Sequence, residues 1–416
     1  MGPGWRVPHR FGTTGRRAVP NPPTSRYGVP EPQSSGPVVR APGPVEVGGD
    51  TGGGGTVGTR GRESAAVAAA DGTRRSGSDA AGVVILGACA SWSLITAAAR
   101  DGRPEGVLLA VLAVAAGYAV GRICGALLPV AAPCAAGLAG AALTVAVPHL
   151  VTGPRITVPL GHAGATAALL VLSAGAACCG AWASPVPAVR LLLRLLATGI
   201  AVAAAVLGSA AGCVACAVVL LCSLGAGRVR RRGAALSGLG LVAGLVTVLT
   251  WAVAARAVPD GLAVPLEGRL SSARVLLWGD ALDLLREDAV LGVGPGRFGE
   301  LSPTAGQSAV SDGRPHSAAW QQAAEQGVVG VVLLGAAFGW VLYALWRSPR
   351  PTPVVLTAGV ALTGLAAIAS VGNALSFTAV SVGAGLLAGM ATARPLADEA
   401  STAVPGTGQR ARRAFR

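Results

Sequence analysis

Between residues 256 and 326 the chain collects the side chains best able to do chemistry. Arg274 stands four residues before Trp278. A run Gly292-Val293-Gly294-Pro295-Gly296-Arg297-Phe298-Gly299 follows, and then Arg314-Pro315-His316-Ser317. A guanidinium is always charged and presents five donors in a planar fork, which suits it to phosphate oxygens. His316 is the only histidine of the segment. Imidazole titrates near neutral pH, so a histidine entering a membrane helix at the water face can act as a base; the plainer reading is a hydrogen-bonded interfacial spacer.

These residues need elements to hold them. Ser271 or Ser272 can cap a short amphipathic helix running to Leu285, in which Trp278, Ala281, Leu282 and Leu285 share one face. Arg274, one turn before Trp278, lies on that face and should point at the membrane body; an interfacial, snorkelling Arg is the bland alternative. The Gly-rich run contains a literal GxGxxG from Gly294 to Gly299. A dinucleotide site would need a strand before it and a βαβ unit around it, and a proline inside the motif in a loop supplies neither. Tight turns that bring backbone close to another element are the expectation. Pro315 suits the first turn of a further helix, expected to run through Glu325 and Gly327 into a membrane span.

The rest of the chain reads as the support for this segment. Of 416 residues, 52% are hydrophobic and only 12% charged, and the mean hydropathy is +0.59. That places the chain in the membrane class, and the apolar runs lack the period-2 alternation of a barrel. The expected fold is an all-α integral membrane protein with about ten transmembrane helices and one long external loop containing short helices. Spans are expected near 80–99, 106–121, 127–147, 164–183, 191–207, 209–227, 234–255, 328–346, 354–370 and 374–391. Whether 191–227 is one helix or two decides the side of every later loop. Two helices turning at Leu207-Gly208-Ser209 place Arg228, Arg230, Arg231 and Arg232 inside, with Arg347, Arg350 and the tail Arg410, Arg412, Arg413 and Arg416.

With that parity, residues 1–79 form a cytoplasmic Arg/Pro/Gly-rich tail expected to be disordered, 80–393 the membrane domain, and 394–416 a basic cytoplasmic tail. Both termini are then cytoplasmic, in a multi-pass protein of the inner or plasma membrane. The 256–326 loop falls outside and is net acidic, six Arg against nine Asp or Glu. A loop that long is expected to be functional. His149 and His162 flank a second outer segment with Arg155 and read as interfacial anchors. All 33 basic residues are Arg, giving a net charge of +14. Without Lys there is no P-loop and no Schiff-base chemistry, which argues against ATP-driven transport by this chain. The eight Cys lie in apolar runs from Cys89 to Cys222, and the Cys213-x-x-Cys216 pair reads as packing rather than redox or metal chemistry.

At this point the residues meet a family. The pattern resembles the O-antigen ligase and polymerase superfamily of membrane glycan transferases, over roughly 191–346. One block is Arg274, Trp278 and the Gly292 to Phe298 turn; the other is His316 followed by Glu325, Gly327 and Gly330. Two departures stand out: Ser317 replaces the family's usual Asn, and Ser209-Ala210-Ala211-Gly212 replaces a membrane Ser-Arg-Gly whose Arg is thought to hold the lipid diphosphate.

The resemblance implies transfer of a glycan from a polyprenyl diphosphate carrier to an acceptor hydroxyl on the outer face, without metal, nucleotide or other cofactor. It implies His316 and Arg274 as catalytic residues: His316 as base or acceptor-orienting group, Arg274 against the departing diphosphate. Arg256, Arg269, Arg297 and Arg314 are candidates to replace the missing donor-binding Arg. The partners implied are the lipid-linked glycan donor, a glycan, lipid or protein acceptor, and membrane lipid, with no nucleic acid. A degenerate scaffold of an envelope-glycan assembly complex is the alternative. A transporter is a further one, though its usual ionisable residues at the membrane midplane are nearly absent here.

Overall fold

The computed structural model describes residues 57–150, 160–255, 272–307, 313–394 and 396, with side chains from 77 onward except near 147–162, 272–273 and 307. Its helices are α1 (Val57–Arg100), α2 (Glu105–Leu127), α3 (Ala131–Leu150), α4 (Leu160–Ala183), α5 (Pro187–Val206), α6 (Ala210–Gly225), α7 (Arg232–Ala254), α8 (Ser272–Glu287), α9 (Phe298–Leu301), α10 (Pro303–Gln307), α11 (Ala318–Arg347), α12 (Thr352–Val371) and α13 (Thr378–Thr392). The all-α membrane architecture is borne out: among the described residues eight helices are long and apolar enough to cross a bilayer, and two shorter apolar helices, Ala131–Ala146 and Thr378–Thr392, fall at the third and tenth expected spans.

The break between the fifth and sixth spans sits where the sequence places it. Gly208 adopts φ +72°, a conformation open to residues without Cβ, and the Ser209 side chain accepts the N–H of Gly212 to start α6. Other boundaries differ from expectation. Helix α1 reaches back to Val57, into the stretch read as a structureless tail, and its Ala-rich 64–70 portion explains why. The candidate span is Gly77–Arg100. Helix α2 is not the short span expected. It continues past Arg122, which pairs with Asp79 of α1 at 2.8 Å, to Leu127. Pro129 delays α3 to Ala131. A 3-10 turn, Ala374–Ser376, precedes α13.

Helices α4 and α12 are the most buried spans and form the middle of the bundle. Helices α2 and α13 meet through glycine. A Cβ on Gly121 would lie 2.3 Å from the Leu386 carbonyl oxygen, and one on Gly389 2.2 Å from that of Tyr118, so only small residues permit this approach. Arg350, expected as a cytoplasmic topological charge, is 6% exposed and spends its guanidinium on the carbonyls of Ala393 (2.9 Å) and Gly125 (2.7 Å), closing the ends of α13 and α2. Arg232 does the same for Ser348 (2.9 Å) and Leu345. Cys216 is fully buried in the main core cluster, a packing position.

Candidate active site in the loop between α7 and α11

Helix α8 starts at Ser272 and buries the expected face: Trp278 and Ala281 are fully inaccessible, with Leu277, Leu284 and Leu285 nearly so. They pack with Phe298, Trp320, Ala323 and Ala324 in a second hydrophobic cluster, separate from the core of the bundle. Trp320 stacks on Trp251 at the end of α7, with ring centroids 4.3 Å apart. The loop therefore has a small core of its own, sealed against the membrane helices by aromatic side chains.

Trp278 does more than fill space. Its indole N–H donates to the Pro315 carbonyl at 2.9 Å, tying α8 to the residue before His316. Arg274, one helical turn earlier, is half-buried, and burial lowers the pKa of its guanidinium. Its Nε is enclosed without a hydrogen-bond partner among the described residues. Such a group is costly to leave unsatisfied, and its donors suit an incoming anion.

Pro315 does not sit in the first helical turn, as the sequence suggested. Helix α11 starts at Ala318, and Ser317 is its N-cap, accepting the Trp320 N–H at 3.4 Å. Ser is as good a cap as Asn, so the departure at this position keeps the capping chemistry. The chain needs a sharp bend before the cap, and His316 supplies it at φ +52°. The left-handed region is disfavoured for a side chain by roughly 1–2 kcal/mol, and held strain of this kind concentrates at functional sites.

The Gly-rich run is a clasp between α8 and α11. The N–H of Val293 donates to Ala324 (2.9 Å) and that of Gly294 to Glu325 (3.0 Å) on backbone carbonyls, and the N–H of Val328 donates back to Ala289 at 2.8 Å. The Glu325 side chain is buried behind the run. The amides of Gly292, Val293, Gly294 and Arg297 are thus bonded within the protein. The loop between α1 and α2 grips its far side: Arg103 N–H reaches Pro295 O at 2.7 Å, and Arg100 pairs with Asp288.

The clasp requires glycine at Gly327, where α11 is broken (φ 68°, ψ −165°) and an added Cβ would lie 2.2 Å from the Val290 carbonyl oxygen. That conformation is essentially confined to glycine. Gly327→Ala is expected to weaken the clasp by about 1–3 kcal/mol from backbone strain alone. Proteolysis of the loop should quicken while membrane insertion is unchanged; unchanged protease resistance would refute the assignment.

The structure joins Arg274 and His316 through α8 and the Trp278 bond. Arg314 is exposed. Arg297 is already engaged, donating to the Arg100 carbonyl at 2.7 Å with Glu300 3.8 Å away. Arg256, Arg269, Arg155 and the tail Arg410, Arg412, Arg413 and Arg416 lie outside the described residues, as do the side chains of His149 and His162. Ala210, in place of the family's Arg, is exposed in the first turn of α6. Sequence reasoning missed the Trp278–Pro315 bond, because no local signal names the acceptor of an indole N–H 37 residues away.

Fold and site define a multi-pass, all-helical membrane protein whose long loop folds into a helical cap bearing a histidine and a half-buried arginine. Residues 195–335 match the family model described as O-antigen ligase. The resemblance read from the residues is thereby borne out over this stretch, in a multi-pass membrane protein. No curated protein and no solved structure matches the chain.

Proposed function

We infer that the protein transfers a glycan from a polyprenyl diphosphate carrier to an acceptor hydroxyl, in surface polysaccharide polymerisation or ligation. The observation that carries this is the Trp278 bond to Pro315, which brings the helix of Arg274 to the bend that presents His316. The acceptor oxygen attacks the anomeric carbon, and the bond from that carbon to the diphosphate oxygen breaks. His316 takes the hydroxyl proton, and Arg274 meets the negative charge that leaves with the lipid diphosphate. Those two roles call for neither a metal nor a nucleotide.

The lipid part of the donor finds support in an almost wholly apolar cavity of about 560 Å³. Its lining includes Ala318 and Ala319, close behind His316 in the chain, with Val331, Thr247, Val114 and Trp340. An apolar cavity of this kind suits the tail of a lipid carrier. A scaffold role is the second reading, favoured by Ala210 where the family carries an arginine. Incubating the membranes with a polyprenyl diphosphate-linked glycan and measuring product by mass spectrometry decides between them: product formation supports the transferase, and its absence at normal protein levels supports the scaffold.

This reading places the loop on the outer face. Glu287, exposed at the end of α8, tests it. Glu287→Cys, in a chain whose native cysteines are replaced, should react with an impermeant thiol reagent in intact cells. Labelling only after lysis would put the site on the wrong side.

A further inference from the structure

The end of the bundle away from the loop carries charge that glycan transfer does not use. Helix α7 joins the two ends, so the turn Arg228-Val229-Arg230-Arg231 before it lies across the membrane from the loop after it. Arg190 and Arg194, one helical turn apart at the start of α5, share this end. Arg228, Arg230 and Arg231 are exposed, and Arg190 and Arg194 are half-buried. The sequence has no Asp or Glu between Glu105 and Asp260. Among the described side chains the one carboxylate at this end is Asp79, and Arg122 holds it at 2.8 Å. The arginines of α5 and of the α6–α7 turn therefore face one another without a counter-charge from the protein, an arrangement that an anion would relieve.

Topology alone asks only for positive charge on this side, wherever it falls. Here the cations gather at one indole. Trp182, near the end of α4, donates its N–H to the carbonyl (3.2 Å) and hydroxyl (3.1 Å) oxygens of Ser223, which fixes the ring against α6. The Arg194 guanidinium lies over that ring, 5.6 Å from its centroid. Gly227 lies at the ring's edge, where an added Cβ would be 3.2 Å from the indole, so the chain turns into Arg228 directly against the tryptophan. Arg190 donates to the Ser184 carbonyl at 3.0 Å, and its Nε is enclosed without a hydrogen-bond partner among the described residues. Beside these cations the same two helices expose Leu191 and Leu195 on α5 and Leu221 and Leu224 on α6.

Guanidinium forks around an aromatic ring, with leucines alongside that face hydrocarbon, match the two halves of a phospholipid: a phosphodiester for the forks and acyl chains for the leucines. An acidic protein segment would satisfy the charge but make no use of the leucines. We propose that this end of the protein binds an anionic phospholipid of the adjoining leaflet, its phosphate held by Arg190, Arg194 and Arg228 around Trp182 and its acyl chains lying along α5 and α6. By the positive-inside rule that leaflet is the cytoplasmic one. The site owes nothing to the transferase reading.

The full-length chain, purified in a neutral detergent, is titrated with phosphatidylglycerol or with phosphatidylcholine, and bound lipid is counted by native mass spectrometry. Phosphatidylglycerol should be retained where phosphatidylcholine is lost. An arginine beside an anionic headgroup contributes about fivefold in affinity, so replacing Arg190, Arg194 and Arg228 together by Gln should weaken phosphatidylglycerol binding roughly 100-fold. Replacing Arg410, Arg412 and Arg413 by Gln removes the same charge elsewhere and should leave binding within about twofold, because distant exposed charges are screened. Loss of arginines near spans can also misdirect insertion. Trp182→Leu avoids this by leaving the charge unchanged, and should still cost about threefold through the lost cation–π contact.

Equal retention of the two lipids by the parent would overturn the proposal, as would parent-like binding in the Arg190, Arg194 and Arg228 variant. An equal loss in the tail variant would reduce the effect to diffuse attraction and overturn the site. Displacement of phosphatidylglycerol by inorganic phosphate at matched concentration would assign the cations to a free anion instead of a lipid.

Discussion

His316→Ala should abolish glycan transfer and leave lipid-linked donor to accumulate in the membrane. Loss of an effective general base costs about 100- to 10,000-fold, and no other histidine lies in the loop to take its place. The side chain is placed by the bend at φ +52° between the Trp278-anchored carbonyl of Pro315 and the cap at Ser317. Alanine keeps the Cβ that makes the left-handed bend costly, so the backbone strain there is unchanged. Donor binding should survive, because the anion-facing cation is elsewhere. Product and donor measured by mass spectrometry in membranes with matched protein levels give the answer. Near-normal transfer would end the catalytic assignment and promote the scaffold.

Arg274 should show the second large effect, of a different kind. A donor aimed at charge that grows only in the transition state is worth about 100- to 1,000-fold in turnover. Arg274→Lys keeps a positive charge but gives up the planar two-point contact with phosphate oxygens, so it should approach Arg274→Ala in turnover. The helix should tolerate both changes, since the buried face is carried by Trp278, Ala281 and Leu285, and the Arg274 Nε has no hydrogen-bond partner among the described residues. The diagnostic is the split: turnover falls steeply in both variants, and donor KM rises more in Ala than in Lys. A Lys variant with parent turnover would show that Arg274 provides a diffuse charge only.

Much of the architecture was legible because a bilayer permits few solutions. Backbone groups in hydrocarbon must be satisfied within the segment, so long apolar runs without period-2 alternation have to be helices. Gly208-Ser209 marked the one ambiguous turn, since a glycine able to take positive φ followed by a capping serine is a local signal. Arg122 escaped the same logic. Its place inside α2 depends on Asp79, 43 residues away on another helix, which no local rule reveals. Arg350 counts as a cytoplasmic charge in sequence, yet only the meeting of α2, α12 and α13 turns it into a buried cap.

In the loop the division is similar. Residue types and short spacings were enough to single out Arg274 beside Trp278, the bend-forming glycines, and His316 beside a capping residue, because helical periodicity and turn chemistry act over a few residues. They could also reject a dinucleotide site. What they could not supply is the partner of each group. Only the fold made the indole of Trp278 a donor to Pro315, turned the amides of Val293 and Gly294 onto the carbonyls of Ala324 and Glu325, engaged Arg297 with Arg100, and left Arg274 half-buried with its Nε unpartnered among the described residues. The physical reason is range: propensity and hydrophobic pattern are written into neighbouring residues, whereas hydrogen-bond satisfaction and burial are settled between segments far apart in the chain, once packing has removed the water that would otherwise serve them.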